Sequence, residues 1–201
     1  MTALPASLDC LIGPTPTEES LEKVKIRAAQ QGDMTAFEWI VRQHEERLFT
    51  FCCRWLRCNQ DAREVCQDAF VRAWQALPDF EGRCSISTWL YQIALNLCRD
   101  RAKTRSTRQQ ACTVALEDVE GQPACPLPAP DRSAEWRGEM QKLERGLAAL
   151  PEKLRAALML TSQEGLSQEE CALILNCSVR SVEGRVYRAR QMLLEWWNRQ
   201  G

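Results

Sequence analysis

Apolar residues recur three and four positions apart along most of the chain, the period of an α-helix that buries one side. The pattern becomes helical at Glu18, with Val24, Ala28 and Ala29 toward one side, until Gly32 and Asp33 interrupt it. Asp33 suits the cap of a following helix, and Phe37, Ile40, Val41, His44, Leu48, Phe51, Trp55 and Leu56 then trace a long amphipathic stripe. Asn59, Gln60 and Asp61 punctuate the chain, and Asp61 stands three residues before Glu64, the spacing of a capping box. The helix expected there turns Val65, Ala69 and Ala73 inward with Phe70, Trp74 and Leu77 beside them, and Pro78 stops it. Its other face carries Glu64, Gln67, Asp68, Val71, Arg72 and Gln75, which reads either as ordinary solvated surface or as a docking face.

A polar loop from Asp79 to Ser87, with Gly82 in its middle, precedes a helix marked by Trp89, Leu90, Ile93, Ala94, Leu97 and Cys98. Its end is densely basic: Arg99, Arg101, Lys103, Arg105 and Arg108 stand against one acid, Asp100. From Gln109 to Arg132 the helical period is lost, and Pro123, Pro126, Pro128 and Pro130 keep this stretch out of a helical core. Periodicity returns with Trp136, Met140, Leu143, Leu147 and Leu150. Pro151 suits the opening of a helix with Leu154, Ala157, Leu158 and Thr161 inward, and Gly165 closes it. Ser167 and Glu170 form a second capping-box signature ahead of Cys171, Ile174 and Leu175. After a turn at Asn176 and Cys177, a last helix carries Val182, Val186, Ala189, Leu193 and Trp196. The expectation is an all-α chain: a loose segment 1–23, a small helical domain 24–108, a flexible proline-containing linker 109–135 and a second helical domain 136–201.

Bulk composition then narrows the function classes. Charged residues make up 26% of the 201 positions but nearly cancel, to a net charge of −1, so any surface that meets nucleic acid must be a local patch. The 11 cysteines show no CxxC spacing and follow no export signal, which favours reduced thiols packed as small hydrophobes on apolar helical faces. The single His44 has no metal-site spacing to them, so neither a metal nor another cofactor is expected. It lies on an apolar stripe, and the sequence offers no Ser-His-Asp arrangement and no glycine-rich phosphate loop, so no catalytic residue is assigned. No apolar run approaches the roughly 18 residues of a membrane span, and the expected location is the cytoplasm.

The tail gives the most specific signal. A short helix from Ser167, a tight turn and a longer helix from Val179 make the rhythm of a helix-turn-helix, whose second helix offers its N-terminal part to the DNA major groove. Ser178, Arg180, Ser181, Glu183 and Arg185 stand where base edges can be reached, and Arg188 and Arg190 where phosphates are closer. In the first half, Arg83, Ser85, Ser87 and Thr88 sit at the mouth of a helix that begins with Trp89 and Tyr91 and ends basic, a combination able to hold unstacked bases. A stand-alone dimeric helix-turn-helix regulator on a palindrome, or a helical adaptor without DNA contact, would share much of this pattern.

Three stretches carry a resemblance that separates these readings. They are Asp61-Ala-Arg-Glu-Val-Cys-Gln-Asp-Ala-Phe-Val-Arg-Ala-Trp, then Phe80-Glu-Gly-Arg-Cys-Ser-Ile-Ser-Thr-Trp-Leu-Tyr-Gln-Ile-Ala-Leu-Asn-Leu, and Leu150-Pro with Glu164-Gly-Leu-Ser-Gln-Glu-Glu and Val186-Tyr-Arg-Ala-Arg. Together they resemble the bacterial extracytoplasmic-function class of alternative sigma factors, over Val24 to Arg105 and Trp136 to Trp196 in matching order. The resemblance implies core RNA polymerase, promoter DNA and an anti-sigma factor as partners. It places Asp61, Glu64, Gln67, Asp68, Val71, Arg72 and Gln75 on the polymerase-binding helix, and Arg83, Ser85, Ser87, Thr88, Trp89, Asn96, Arg99, Arg101 and Lys103 at the minus-ten element. Ser178, Arg180, Ser181, Glu183, Arg185, Arg188 and Arg190 fall at the minus-thirty-five element. The recognition helix departs from the family's common Gly-Thr-Val-Lys-Ser-Arg opening: here it reads Arg180-Ser-Val-Glu-Gly-Arg, which exchanges a positive charge for Glu183 and introduces Gly184.

Overall fold

Every regular element among the described residues is helical in the computed structural model, which describes residues 18–111, 134–162 and 164–199. The expected all-α class is therefore found. Residues 1–17 of the expected loose segment and residues 112–133 of the expected linker lie outside the described residues. The chain forms two compact units, residues 1–43 and residues 44–201.

In the first unit, α1 (Glu18–Gln30) ends on Gly32 at φ 93°, a left-handed conformation that glycine adopts without steric cost. Asp33 then caps α2 (Met34–Leu56): its Oδ1 accepts from the backbone N–H of Thr35 at 2.9 Å and of Ala36 at 3.2 Å. Its carboxyl is held below the ordinary range, chiefly by the Thr35 hydroxyl. Ala29, Ala36, Phe37 and Ile40 are buried as the period requires, whereas Val24, expected inward, is 60% exposed. The buried side of α1 runs through Ala29, which lies five residues from Val24 and so, at about 100° per residue, about 140° around the helix from it.

In the second unit, the remainder of α2 is followed by α3 (Asn59–Ala76), a single 3-10 turn (Leu77–Asp79) and α4 (Ile86–Ala111). Helix α3 packs along α4, and Phe51, Cys52, Ala62, Val65, Ala69, Ala73, Leu77, Leu90, Ala94, Leu95 and Cys98 are buried among these elements. Cys52 and Cys98 are neighbours in this apolar interior, and the contact with Cys98 together with burial pushes the Cys52 thiol far up, the environment of an inert packing thiol. One cap differs from expectation. Helix α3 starts at Asn59 after Cys58, which has an extended backbone and no side-chain cap bond, so Asp61 lies inside the first turn. There its charge favours the N-terminal dipole and faces Arg101 Nη1 at 3.7 Å.

After residue 133 come α5 (Ala134–Ala149), α6 (Glu152–Ser162), α7 (Gln168–Ile174) and α8 (Val179–Arg199). Leu147, Leu150, Leu154, Leu158, Val186, Ala189 and Leu193 form a core between α5, α6 and α8. Helix α6 is buried on more sides than one apolar stripe predicts: Ala156, Met159 and Leu160 are inside as well as Ala157 and Leu158. The Ser167 capping box is present, with Glu170 N–H donating to Ser167 Oγ at 3.1 Å and Ser167 N–H to Glu170 Oε2 at 2.9 Å. Asn176, at φ 47°, supplies the left-handed residue of the turn between α7 and α8.

Candidate nucleic-acid interface

The helix-turn-helix is built from the inside out. Val182 and Ala189 are completely buried on α8 with Val186 packed between them, and a helix repeats every 3.6 residues, so the positions on the other side of the helix are pushed outward. Arg180, Glu183, Arg188 and Arg190 are exposed, while Ser181 and Arg185 are half-buried. Ser178 caps the helix, its Oγ accepting from Ser181 N–H at 3.2 Å, which leaves the N-terminal turn of α8 ordered and outward. Arg188 Nε donates to the carbonyl of Gly184 at 3.0 Å, lying along the helix rather than toward its start.

On α3, Gln67, Asp68, Val71, Arg72 and Gln75 are exposed as one face, and Val71 is 55% exposed despite being apolar. Asp61 and Glu64, expected on the same face, are half-buried and turned toward α4, where Arg101 pairs with both and lies closest to Glu64. Arg101 belongs to the residues expected at DNA, so this ion cluster ties α3 to α4 instead of leaving three independent contacts. Glu64 raises the Arg101 pKa by its hydrogen bond, as an acceptor for a cation must.

The loop before α4 is arranged by its own cap. Ser85 Oγ accepts from Thr88 N–H at 3.0 Å and lies 2.7 Å from Thr88 Oγ1. Ser85, Asn96 and Lys103 are exposed, Ser87 is half-buried, and Arg83 is exposed beside its partner Glu81. Trp89 is half-buried with its ring 4.8 Å from that of Phe80 and tilted 35° to it, an aromatic contact that holds the loop against the helix. Thr88, expected to face DNA, is 1% exposed: its hydroxyl donates to Glu170 Oε1 at 2.9 Å. Arg99 Nε likewise donates to Glu152 at 2.8 Å.

Those last two bonds belong to a seam between α2 and α4 on one side and α6, α7 and their connection on the other. Tyr91 Oη donates to Glu164 Oε2 at 2.6 Å, Arg54 stands 3.7 Å from Glu164 Oε1, and the Arg155 guanidinium lies 4.1 Å from the Trp55 ring centre. Burial pushes the Glu164 carboxyl above its ordinary value, against the lowering effects of Tyr91, Arg54 and Arg47. Glu170 moves the other way, held down chiefly by the Ser167 backbone N–H and also by Thr88. Tyr91, read from the sequence as an aromatic beside the base-holding loop, is buried and bonded to Glu164, and pattern does not single out Glu164, Glu170, Glu152 or Arg155 as site residues because their partners across the seam lie far away in sequence.

Known proteins place this architecture. Residues 40–108 match the family Sigma-70 region 2, and residues 140–193 match the family Sigma-70, region 4. The chain is 34% identical over 173 residues to the RNA polymerase sigma-H factor of Pseudomonas aeruginosa, covering 84% of this chain and 89% of that one. It is 30% identical over 181 residues to the ECF RNA polymerase sigma-E factor of Escherichia coli K12, covering 88% and 94%. The solved structure of CnrH in complex with the cytosolic domain of CnrY matches with a TM-score of 0.68 at 28% identity, over 90% of this chain and 99% of that one. No described helix is long and apolar enough to cross a membrane. With both regions present in order and relatives matched along nearly their whole length, the chain belongs to the extracytoplasmic-function group of the sigma-70 family.

Proposed function

We propose that the chain binds core RNA polymerase and directs it to promoters, with the work divided between a domain of residues 24–108 and a domain of residues 136–201 joined by a linker. The observation that carries the reading is the disposition of α8: Val182 and Ala189 fully buried beneath an ordered N-terminal turn that turns Arg180 and Glu183 outward. A helix so mounted enters the major groove with its first turn, where Arg reads guanine and Glu accepts from cytosine. In this reading it contacts the minus-thirty-five element, and Arg188 and Arg190 meet phosphates.

The exposed face of α3, with Val71 among Gln67, Asp68, Arg72 and Gln75, is the polymerase contact: an apolar residue in a polar rim is the composition of a protein interface. Arg83 and Ser85 in the loop, with Ser87 and Trp89 in the first turn of α4, receive bases of the melted minus-ten element, with Asn96, Arg99 and Lys103 farther along α4. An anti-sigma factor completes the partners; the related CnrH is itself seen bound to a cytosolic domain of another protein.

Reconstitution tests the reading. Mixed with core polymerase of its own organism, the chain should start transcripts from genomic DNA at sites sharing an upstream and a downstream element. A chain that yields no transcripts with core polymerase, but alone protects a palindrome as a dimer, is a stand-alone regulator instead.

A further inference from the structure

Arg101 stands in the basic stretch at the end of α4, but the helix turns it away from its basic neighbours. At about 100° per residue, Arg101 lies within about 20° of Leu90 and Ala94 around the helix, both of them buried. The same arithmetic puts it about 140° from Asn96 and about 160° from Lys103, the exposed residues assigned to the minus-ten element. Arg101 thus continues the buried row of α4, and what it meets there is α3.

On α3, Asp61, Glu64 and Asp68 follow one another at spacings of three and four and share a row. Arg101 pairs with Glu64, stands 3.7 Å from Asp61 Oδ1, and also feels the charge of Asp68. The Arg101 and Asp61 side chains are 32% and 22% exposed, so the cluster is partly shielded from water and salt. Between the helices, Ala62, Ala69 and Ala73 are fully buried. Alanines allow close approach but offer low ridges, so they resist sliding and rotation of α3 less than large interdigitated side chains do. A guanidinium fork on two carboxylates is directional and supplies that restraint at the start of the helix. The exposed face that continues from it carries Asp68, one turn beyond Glu64, and then Val71, Arg72 and Gln75.

We propose that Arg101 is a positioning residue and not a DNA contact: by clasping Asp61 and Glu64 it fixes how α3 sits on α4, and so aims Asp68, Val71 and their neighbours at core polymerase. The inference rests on the proposed function for its target, and it removes Asp61, Glu64 and Arg101 from the sets of direct contacts that the family resemblance implies.

The test separates positioning from phosphate binding in the full chain. Arg101→Gln is titrated against core polymerase, and the polymerase complex at saturating core is then bound to a promoter fragment with a pre-melted minus-ten element over a salt series. A charge exchange runs beside it: Arg101→Glu, Asp61→Asn is compared with the same pair plus Glu64→Arg, which rebuilds the ion pair with its signs reversed. Circular dichroism checks helix content, and Arg101→Lys, which keeps the charge but loses the fork, replaces Arg101→Gln should that variant not fold. Arg101→Gln should bind core about threefold more weakly, the scale of one partly exposed ion pair. Arg101→Lys should show a smaller loss in the same direction. Promoter binding at saturating core should keep the wild-type salt slope, and adding Glu64→Arg should return most of the core affinity lost by the Arg101→Glu pair. A salt slope lowered by about one in Arg101→Gln makes Arg101 a phosphate contact and overturns the proposal. A lowered urea midpoint with unchanged core affinity reduces the clasp to a stability device and also overturns it, as does a loss of core affinity that the charge exchange leaves unrestored. A wild-type chain that binds no core polymerase removes the sigma-factor assignment itself, a result told apart from the others because the wild type fails before any variant is compared.

Discussion

The same substitution, Gly to Ala, is expected to act in opposite directions at two helical positions behind and along the recognition helix. Gly184 lies in α8, and an added Cβ would meet only Arg188 Nη2, at 4.0 Å. Alanine there restores helix propensity at no steric cost and should stabilise by roughly 0.5–1 kcal/mol. Gly146 lies in α5 against α8, and its added Cβ would fall 2.7 Å from Leu193 Cδ1 and 2.8 Å from Trp196 Cε3. The leucine tip can rotate, but the indole is a rigid plate and must move as a unit. Such overpacking costs about 1–3 kcal/mol, set against the same propensity gain. Since propensity contributes alike to both variants, their difference isolates the clash: Gly146→Ala should be less stable than Gly184→Ala by about 1–3 kcal/mol. Urea unfolding of the full chain, followed by far-ultraviolet circular dichroism, measures it as a shift in midpoint. A Gly146→Ala midpoint equal to or above that of Gly184→Ala would refute the close approach of α5 to Trp196, and with it the mounting of α8.

Three further outcomes follow from the side-chain placements. Replacing Asp68 by Lys together with Val71 by Asp should weaken binding to core polymerase at least tenfold in a pull-down titration with unchanged helix content, whereas reversing Glu64 should also lower stability, because that residue is tied to Arg101. Arg180→Ala and Arg185→Ala should each cost roughly 1–3 kcal/mol on the preferred upstream element and flatten preference at one or two positions, while Arg188→Ala should weaken all sequences alike and lower the salt slope by about one, as read in binding assays over a salt series. Stability should gain a component as pH falls: the Glu164 carboxyl, facing Tyr91, Arg54, Arg47 and Glu46, is raised above its ordinary value by burial, so the folded chain disfavours its ionised form, and this component is full below the ordinary value and lost as pH rises through the elevated one. Glu170 titrates in the opposite sense, so the comparison is with Glu164→Gln, whose urea midpoint should lose this component of the pH response.

How much of this was legible in the sequence depends on how far apart the interacting groups lie. The Ser167 and Glu170 box, the Asp33 cap and the inward row Val182, Val186, Ala189 and Leu193 were readable because partners three to four residues apart leave a periodic signature. Asp61 shows the limit of that method: the residue spacing was right for a cap, but Cys58 takes the cap position three residues earlier and the Asp61 carboxylate turns to Arg101. Helix α6 was read as having a single inward stripe because periodicity assumes one buried side, and Ala156, Met159 and Leu160 are buried on others. The seam left no pattern at all. Thr88 and Glu170 are 82 residues apart and Tyr91 and Glu164 are 73 apart, so only the tertiary arrangement brings them together. Thr88 consequently looked like a solvent-facing DNA contact, and the residue that covers it looked only like half of a cap.

The central claim is that the two helical sets divide one promoter between them while acting only through polymerase. In vitro transcription from a promoter library randomised at both elements, with core polymerase and with wild type, Arg180→Ala, Arg185→Ala or Ser85→Ala, measures this directly. Wild type should select two separated elements; the arginine variants should lose preference at the upstream one, and Ser85→Ala should instead reduce opening at the downstream one. Transcription with upstream preference unchanged when Arg180 and Arg185 are both replaced would contradict the assignment of α8.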